Sequence, residues 1–319
     1  MPVLDVEGLR TYYTTLRGDV KAVDGISFNV EKGEALGIAG ESGCGKTTLA
    51  LSLLRLLPSG GKIVAGTVVF DGTSLGSLTD EGIRKIRWKG ISLVFQGAMN
   101  ALNPVFKIGD QIVEAIKTHE PATSNREAWK RAGDLLELVG IERGRATNYP
   151  HEFSGGMKQR ALIAMALALN PQMLIADEPG TALDVIVQAQ VLKLMRELKQ
   201  KLDLGMILIS HDLSILAETS DKLAIMYAGK FVEYGDVKEV FREPLHPYTQ
   251  GLLGAFPRIQ GARQKLLSVP GSPPDLLNPP TGCRFHPRCP YAMDICRQEE
   301  PILKKAGSGE HDVACWLYK

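Results

Sequence analysis

The pattern of apolar and polar positions divides the chain into a strand-rich beginning, a helical middle and a loop-rich end. In residues 1–40, apolar and polar residues alternate through VLDVEGLRTYY and KAVDGISFNV, and the segment ends in the apolar run EALGIAG. Alternation with a period of two indicates strands that bury one face. We therefore expect two or three antiparallel strands followed by a buried strand.

Helical spacing of apolar residues dominates the middle of the chain. IGDQIVEAIKTH, NREAWKRAGDLLELVG and MKQRALIAMALAL repeat apolar side chains every three or four positions, which is the period of a helix with one buried face. We predict that these segments form an inserted helical subdomain over about residues 97–165.

Two short apolar runs, QMLIADEP and GMILISHD, follow this region and are separated by the helical pattern VIVQAQVLKLMRELKQKL. Runs that are apolar on both faces suit central parallel strands covered by helices, so the predicted fold class is α/β. From about residue 241 Pro accumulates and long periodic segments stop. We predict a main domain over residues 1–240 and a loop-rich C-terminal extension over residues 241–319.

Composition adds few constraints. The 37 Lys and Arg residues nearly balance the 36 Asp and Glu residues, so the net charge gives no indication of a nucleic-acid binder or an acidic disordered chain. The N-terminus lacks a signal-peptide pattern, and no segment approaches the roughly 20 apolar residues of a membrane span. We expect a cytosolic chain, with any translocation path supplied by other polypeptides.

The stretch GESGCGKTT, residues 40–48, fits the phosphate-loop pattern G-x-x-x-x-G-K-[ST] between a predicted strand and a predicted helix. Glycines allow backbone N–H groups to surround phosphate oxygens, and the helix N-terminus adds partial positive charge. Lys46 is predicted to reach the terminal phosphates and Thr47 to ligate magnesium; an ordinary glycine turn is the alternative. The nucleotide-binding residues predicted here are Gly40, Ser42, Gly43, Gly45, Lys46, Thr47 and Thr48.

Two carboxylates, Asp177 and Glu178, end the apolar run MLIADEP. Carboxylates at the end of a buried strand carry a desolvation cost, which a bound cation and a water can offset. We predict that Asp177 supports the magnesium ion and that Glu178 polarises the water that attacks the phosphate. The alternative is that the two residues only open the following helix.

The segment FSGGMKQR, residues 153–160, resembles the signature motif of ATP-binding cassette (ABC) ATPases. The order of phosphate loop, glutamine loop, signature, LIADEP, Asp loop and switch histidine is also similar to that family, from residue 3 to about 235. The resemblance implies an ABC-type phosphate-loop NTPase with a RecA-like core, an antiparallel β subdomain and an inserted helical subdomain. Gly180 and Met157 depart from the common pattern without removing a catalytic group.

Ser154 of the signature is predicted to cap a helix. Gly155 and Gly156 follow it and have no side chains, so an anion can approach the backbone there. In the ABC family, this motif of one subunit closes over the nucleotide of another. The resemblance therefore implies a head-to-tail dimer, and Asp184 matches the Asp loop that crosses its interface.

Further site residues follow from the same resemblance. Gln96 matches the glutamine-loop residue, which contacts magnesium and transmits the nucleotide state to the helical subdomain. His211 matches the switch histidine, which contacts the terminal phosphate. Together with Glu178 and Lys46 these two residues form the predicted catalytic set. Tyr13 is the candidate to stack on adenine, with Tyr12 as the alternative.

Four of the five cysteines lie near the C-terminus: Cys283, Cys289, Cys296 and Cys315. The fifth, Cys44, is predicted to be a small buried residue of the phosphate loop. Four thiolates suit zinc or an iron–sulfur cluster, and free thiols remain a further alternative. The surrounding segment PGSPPDLLNPPTGCRFHPRCPYAMDIC resembles the C-terminal extension of oligopeptide/dipeptide importer ATPases. In that family four such cysteines hold a 4Fe-4S cluster, which the resemblance implies here, with zinc as the alternative.

The predicted function is that of an ATP-hydrolysing subunit that powers import of oligopeptides, dipeptides or a related solute through a membrane ABC transporter. The implied partners are a second ATPase subunit of different sequence, two transmembrane permease subunits and an extracytoplasmic solute-binding protein, without nucleic acid. The expected location is peripheral, on the cytoplasmic face of the cell membrane. Two alternatives are a soluble ABC ATPase of nucleic-acid or ribosome-linked assembly, and a tail that acts as an independent metal-binding interaction module.

Overall fold

The computed structural model describes residues 2–95, 97, 101–181, 183–254, 269–306 and 311–318. The chain forms two compact units that alternate along the sequence. The first unit comprises residues 1–4, 30–35 and 70–209, and the second comprises residues 5–29, 36–69 and 210–319.

The strands of the described residues, in chain order, are β1 Leu4–Thr15, β2 Gly18–Val30, β3 Ala35–Ala39, β4 Gly61–Phe70, β5 Thr73–Ser74, β6 Ile91–Val94, β7 Met173–Asp177, β8 Gly205–Ser210, β9 Lys222–Tyr227, β10 Lys230–Asp236, β11 Lys304–Lys305 and β12 Asp312–Val313. The α-helices are α1 Lys46–Leu53, α2 Asp80–Ile86, α3 Ile108–His119, α4 Asn125–Leu138, α5 Gly155–Ala166, α6 Val185–Leu202, α7 Leu213–Thr219, α8 Val237–Arg242, α9 Pro247–Gly254 and α10 Asp294–Gln298.

The first unit contains three parallel strands and a helical region. β7 pairs in parallel with β6 and with β8, and every residue of β7 and β8 is buried. This burial on both faces confirms the prediction of central parallel strands. Helices α3, α4 and α5 pack against one another, as the helical periodicity predicted. Ser124 begins α4 by accepting a hydrogen bond from the N–H of Glu127.

The second unit contains the strands of the chain's beginning and end. β2, β1 and β4 are neighbours in one sheet. In another sheet, β3 pairs in parallel with β9, and β9 pairs antiparallel with β10. All five residues of β3 are buried, in agreement with the buried strand predicted before the phosphate loop. The mixture of strands and helices confirms the predicted α/β class.

Most described residues of the C-terminal extension lie in loops and turns, with a few short elements between them. It contains α9 and α10, and its last strands join the sheet of the second unit: β12 pairs antiparallel with β10 and with β11. The C-terminal extension therefore contributes backbone hydrogen bonds to the sheet that contains β10. The boundary at residue 240 stays a prediction.

Candidate nucleotide-binding site

The phosphate loop connects β3 to α1 in the second unit. Two of its glycines leave no room for a side chain: a Cβ on Gly40 would lie 2.2 Å from the carbonyl oxygen of Met226, and one on Gly45 would lie 2.0 Å from that of Ala22. Both have positive φ, 156° and 110°, a conformation that glycine adopts without strain. The loop is thus a close-packed backbone turn, and the predicted Gly43, with φ of 78°, is open to space instead.

Lys46 is buried, with 7% of its surface exposed. Its ammonium group donates hydrogen bonds to the carbonyl oxygens of Gly40, at 2.7 Å, and Glu41, at 3.0 Å. Gly45, at the N-cap of α1, supplies no side-chain hydrogen bond, so no N-cap side chain occupies the N–H groups of that helix end. A cation and a helix N-terminus thus meet in one turn, a combination that fits the phosphates of ATP.

The hydroxyl residues of the loop are placed differently from one another. Ser42 and Thr47 are exposed, and Thr48 is half-buried. The hydroxyl oxygens of Thr48 and Tyr13 lie 3.4 Å apart. Tyr12 instead donates a hydrogen bond of 2.7 Å to Asp24. Tyr13 is therefore the tyrosine of this pair that contacts the phosphate-loop segment.

Cys44 is buried inside the phosphate loop, as the sequence predicted. Burial raises the pKa of its thiol, although the Lys46 ammonium acts in the opposite direction. A protonated thiol fills space without adding charge beside the loop.

Asp177 and Glu178 lie at the end of β7 in the first unit. Asp177 is 3% exposed and is paired in register with Ile209 of β8. Glu178 has a left-handed backbone, φ 49°, and its N–H donates to the carbonyl oxygen of Ile209 at 2.9 Å. The hydroxyl of Thr181 donates to the Glu178 carboxylate at 2.9 Å. Non-glycine residues held in this conformation concentrate at functional sites. The sequence pattern does not predict this backbone conformation of Glu178.

The signature and the Asp loop adjoin each other in the first unit. Ser154 caps α5 by accepting a hydrogen bond from the N–H of Met157, as predicted. A Cβ on Gly156 would lie 2.4 Å from the side chain of Val187 in α6, so α5 and α6 meet closely where both helices begin. Gly155 is the first residue of α5.

Asp184 caps α6 by accepting hydrogen bonds from the N–H groups of Ile186 and Val187, at 3.1 and 2.9 Å. The next two side chains are apolar and exposed, Val185 at 81% and Ile186 at 71%. Both residues fit the helical pattern of the sequence, so that pattern does not distinguish this exposed apolar pair from buried residues. A hydrophobic surface beside Asp184 is consistent with the predicted subunit interface.

The two other residues of the predicted catalytic set are His211 and Gln96. His211 is exposed and immediately follows β8, before α7, whose N-cap is Asp212. Gln96 lies outside the described residues.

The predicted 4Fe-4S cluster is corrected by the structure. Within the part of the chain that the structure describes, no three His, Cys, Asp or Glu side chains form a group that could hold a metal ion. Burial raises the pKa of the thiols of Cys289 and Cys315, and raises that of Cys283 to about 12. Since no group that could hold a metal ion is present among the described side chains, neither the cluster nor the alternative zinc ion at Cys283, Cys289, Cys296 and Cys315 is supported.

Ion pairs connect the tail to the second unit. Arg284 is paired with Asp24, and Arg288 with Glu41. Glu233 of β10 accepts a hydrogen bond of 2.7 Å from His311, and others from the N–H groups of Leu245 and His246. No sequence motif predicts these pairs, because each joins residues far apart in the chain.

Comparisons with known proteins agree with this geometry. Residues 23–181 match the ABC transporter family, and residues 232–296 match the family described as oligopeptide/dipeptide transporter, C-terminal region. The dipeptide transport ATP-binding protein DppD of Bacillus subtilis is 47% identical, over 99% of this chain and 94% of the relative. The oligopeptide transport ATP-binding protein OppD of the same organism is 46% identical, over 99% of this chain and 88% of the relative.

Solved structures of similar fold are ATP-binding cassettes. The dimeric cassette MJ0796, in a post-hydrolysis state bound to ADP and Pi, superposes with a TM-score of 0.66 at 26% identity, covering 73% of this chain and 98% of that chain. The cbiO1 protein of Clostridium perfringens, part of the transporter complex cbiONQ, gives 0.66 at 30% identity, covering 76% and 91%.

Proposed function

Because the chain belongs to the ABC transporter family, and within it to the oligopeptide/dipeptide transporters, we propose that it hydrolyses ATP to power peptide import. The observation that carries the proposal is the phosphate loop, in which the buried Lys46 ammonium and an N-terminus without a side-chain cap face the same turn. Peptide is the proposed solute because the relatives are named for dipeptide and oligopeptide transport.

Magnesium is the proposed metal ion, because the predicted ligands are oxygen donors. A hydroxyl from Thr47 and a carboxylate from Asp177 are the hard ligands that this ion prefers, and we propose them as its ligands, together with Gln96. Bound there, the ion would neutralise charge on the phosphates.

Hydrolysis in this proposal is an in-line attack of water on the terminal phosphate. Glu178 polarises the water, while the hydroxyl of Thr181 keeps one oxygen of its carboxylate in place. Lys46 leaves the carbonyl oxygens of Gly40 and Glu41 to bind phosphate oxygens, and His211 contacts the terminal phosphate. Positioning and charge stabilisation supply most of the rate enhancement in such reactions.

Two copies of the cassette are proposed to enclose two nucleotides. Ser154, Gly155 and Gly156 of one subunit would contact the nucleotide bound by the other, and Asp184 would lie at the interface. The exposed Val185 and Ile186 support this proposal, since apolar side chains of that size are covered in stable interfaces. The second subunit in the working complex is proposed to be a different ATPase chain.

The remaining proposed partners are two transmembrane permease subunits and an extracytoplasmic solute-binding protein, with this chain at the cytoplasmic face of the membrane. None of the described helices is long and apolar enough to cross a membrane. The proposed domains are the cassette, residues 1–240 with the helical subdomain at about 97–165, and the extension, residues 241–319.

A reconstituted transporter tests the proposed function. The full chain is assembled with its permease and second ATPase subunits in vesicles, and ATP hydrolysis and uptake of a labelled peptide are measured together. We expect uptake that requires ATP and stops with Glu178→Gln. If nucleic acid stimulates ATP hydrolysis and no peptide does, the proposal is replaced by the alternative of a soluble ABC ATPase of nucleic-acid or ribosome-linked assembly.

A further inference from the structure

The phosphate loop contains an acidic residue, Glu41, at its second position. ATP carries several negative charges, so an unpaired carboxylate in this turn would repel the ligand that the loop binds. Glu41 is paired, and its partner is in the C-terminal extension. Arg288 donates two hydrogen bonds to the Glu41 carboxylate, at 2.7 and 2.9 Å. A bidentate pair of this kind fixes orientation as well as charge.

The surroundings of Arg288 hold it in place for this contact. Its side chain is 6% exposed, whereas that of Glu41 is 25% exposed. The Nε–H donates to the carbonyl oxygen of Pro270 at 2.7 Å, and the guanidinium lies over the ring of Tyr227, 5.7 Å from its centre. These contacts leave the two terminal nitrogens directed at Glu41, so the position of the guanidinium is set largely by the extension and β9.

The backbone of Glu41 is held as well. Its N–H donates to the hydroxyl of Tyr248 at 3.0 Å, and its carbonyl oxygen accepts from the Lys46 ammonium at 3.0 Å. Tyr248 is fully buried in α9, with its ring centre 4.6 Å from that of Tyr227. Two residues of the extension therefore contact the same loop residue that the Lys46 ammonium contacts.

We propose that Arg288 is a positioning residue for nucleotide binding, which neutralises and orients Glu41 so that the phosphate loop accepts ATP. Tyr248 assists by fixing the Glu41 peptide. The inference rests on the proposed ATP site, and it assigns to the C-terminal extension a direct effect on ATP affinity. In this proposal, Arg288 acts on ATP binding by neutralising the negative charge of Glu41. The effect of Arg288 on ATP affinity should therefore disappear when that charge is removed.

A cycle of four full-length proteins tests this dependence: wild type, Arg288→Gln, Glu41→Gln and the double variant. The Kd of a fluorescent ATP analogue is measured for each. We expect Arg288→Gln to raise the Kd about tenfold, which lies between the effects of one unit charge at about 4 Å in bulk water and near a protein surface. The double variant should return to within about threefold of wild type, because the repelling charge is gone.

Two further measurements separate charge from folding. At 1 M salt the Debye length falls from about 10 to about 3 Å, so the loss in Arg288→Gln should shrink. Arg284→Ala is the matched control, because it removes another buried arginine of the extension whose partner, Asp24, lies outside the loop. Glu41→Gln should not rescue any loss of affinity in the Arg284→Ala protein.

Several outcomes would overturn the inference. A double variant as weak as Arg288→Gln would reduce Arg288 to a structural role. If Arg288→Gln fails to fold, Glu41→Gln alone decides: unchanged or tighter ATP binding supports the proposal, and weaker binding contradicts it. If the wild-type protein binds no ATP, and Lys46→Ala gives the same result, the proposed function itself is contradicted.

Discussion

At the scale of single residues, substitution of Glu178 is the most direct test of the proposed hydrolysis mechanism. A Glu178→Gln protein keeps an acceptor for the Thr181 hydroxyl but loses the carboxylate that polarises water. We expect ATP turnover to fall by about 100-fold or more, as for loss of a general base, while ATP binding is retained. Size-exclusion chromatography with ATP should then show a trapped dimer.

Lys46→Ala is the complementary variant, because it removes the cation and should weaken ATP binding itself. The comparison distinguishes failure of hydrolysis from failure of binding. Equal turnover by wild type and Glu178→Gln would contradict the role assigned to Glu178.

Gly45 and Gly43 form a matched pair for testing the loop backbone. Both have positive φ, but an added Cβ clashes with the Ala22 carbonyl at Gly45 and meets open space at Gly43. Gly43→Ala should cost about 1–2 kcal/mol, the strain of a left-handed alanine. Gly45→Ala should cost more, because backbone has to move. Denaturant unfolding of both variants measures the difference, and equal losses would argue against the packed turn.

At the scale of elements, the pair between His311 and Glu233 joins the segment that leads into β12 to strand β10. The hydrogen bond to Glu233 raises the pKa of His311 above its usual value near 6.5. Its contribution to stability is therefore complete below pH 6.5 and is lost as the pH rises through the raised pKa of the folded state. The expected result is a free energy of unfolding that declines on the alkaline side of pH 6.5.

His246, also beside Glu233, has the opposite dependence. Burial lowers its pKa to about 4, so its contribution is complete above pH 6.5 and declines as the pH falls toward 4. His311→Gln should abolish only the alkaline decline and cost about 1–3 kcal/mol at pH 6, because Glu233 then loses a partner. Denaturant unfolding from pH 4 to 9 tests both; an alkaline decline that persists in His311→Gln would assign it to another group.

Sequence patterns located the long and buried elements best. β3, β7 and β8 are apolar on both faces, and α3 to α5 repeat at helical spacing, so each pattern had a physical cause in burial. β11 and β12 have two residues each, too few for any period to appear. Their place in the sheet depends on pairing with β10, which is a tertiary contact.

The candidate site was predictable where chemistry is local in sequence. The turn from Gly40 to Lys46 needs glycines and a cation within a few positions, and the motif shows them. The Arg288–Glu41 pair spans 247 positions, and no short pattern records such a contact. The four C-terminal cysteines are the opposite case. Their spacing in the sequence suits metal ligands, but the described side chains form no metal-binding arrangement.

At the scale of the whole molecule, the extension is predicted to be necessary for a stable second unit. A chain that ends at Arg242 lacks Arg284, Arg288 and β12. Glu41 then loses its pair with Arg288, and Asp24 loses its pair with Arg284 while keeping Arg10 and Lys230. Breaking one such buried pair costs about 3–5 kcal/mol. We expect aggregation or a much lower midpoint of thermal unfolding, together with weaker ATP binding. A truncated protein as stable as the full chain would show that the second unit does not need the extension.

The distance in sequence between Glu41 and its partners also sets an order of events during synthesis. The phosphate loop leaves the ribosome early, but Arg288 follows 247 residues later, roughly 10–50 s at ordinary rates of translation. Until then the loop exists with an uncompensated carboxylate. If Arg288 acts as proposed, the nascent chain gains its full affinity for nucleotide only after Arg288 has emerged, so that incomplete chains released earlier compete poorly for ATP.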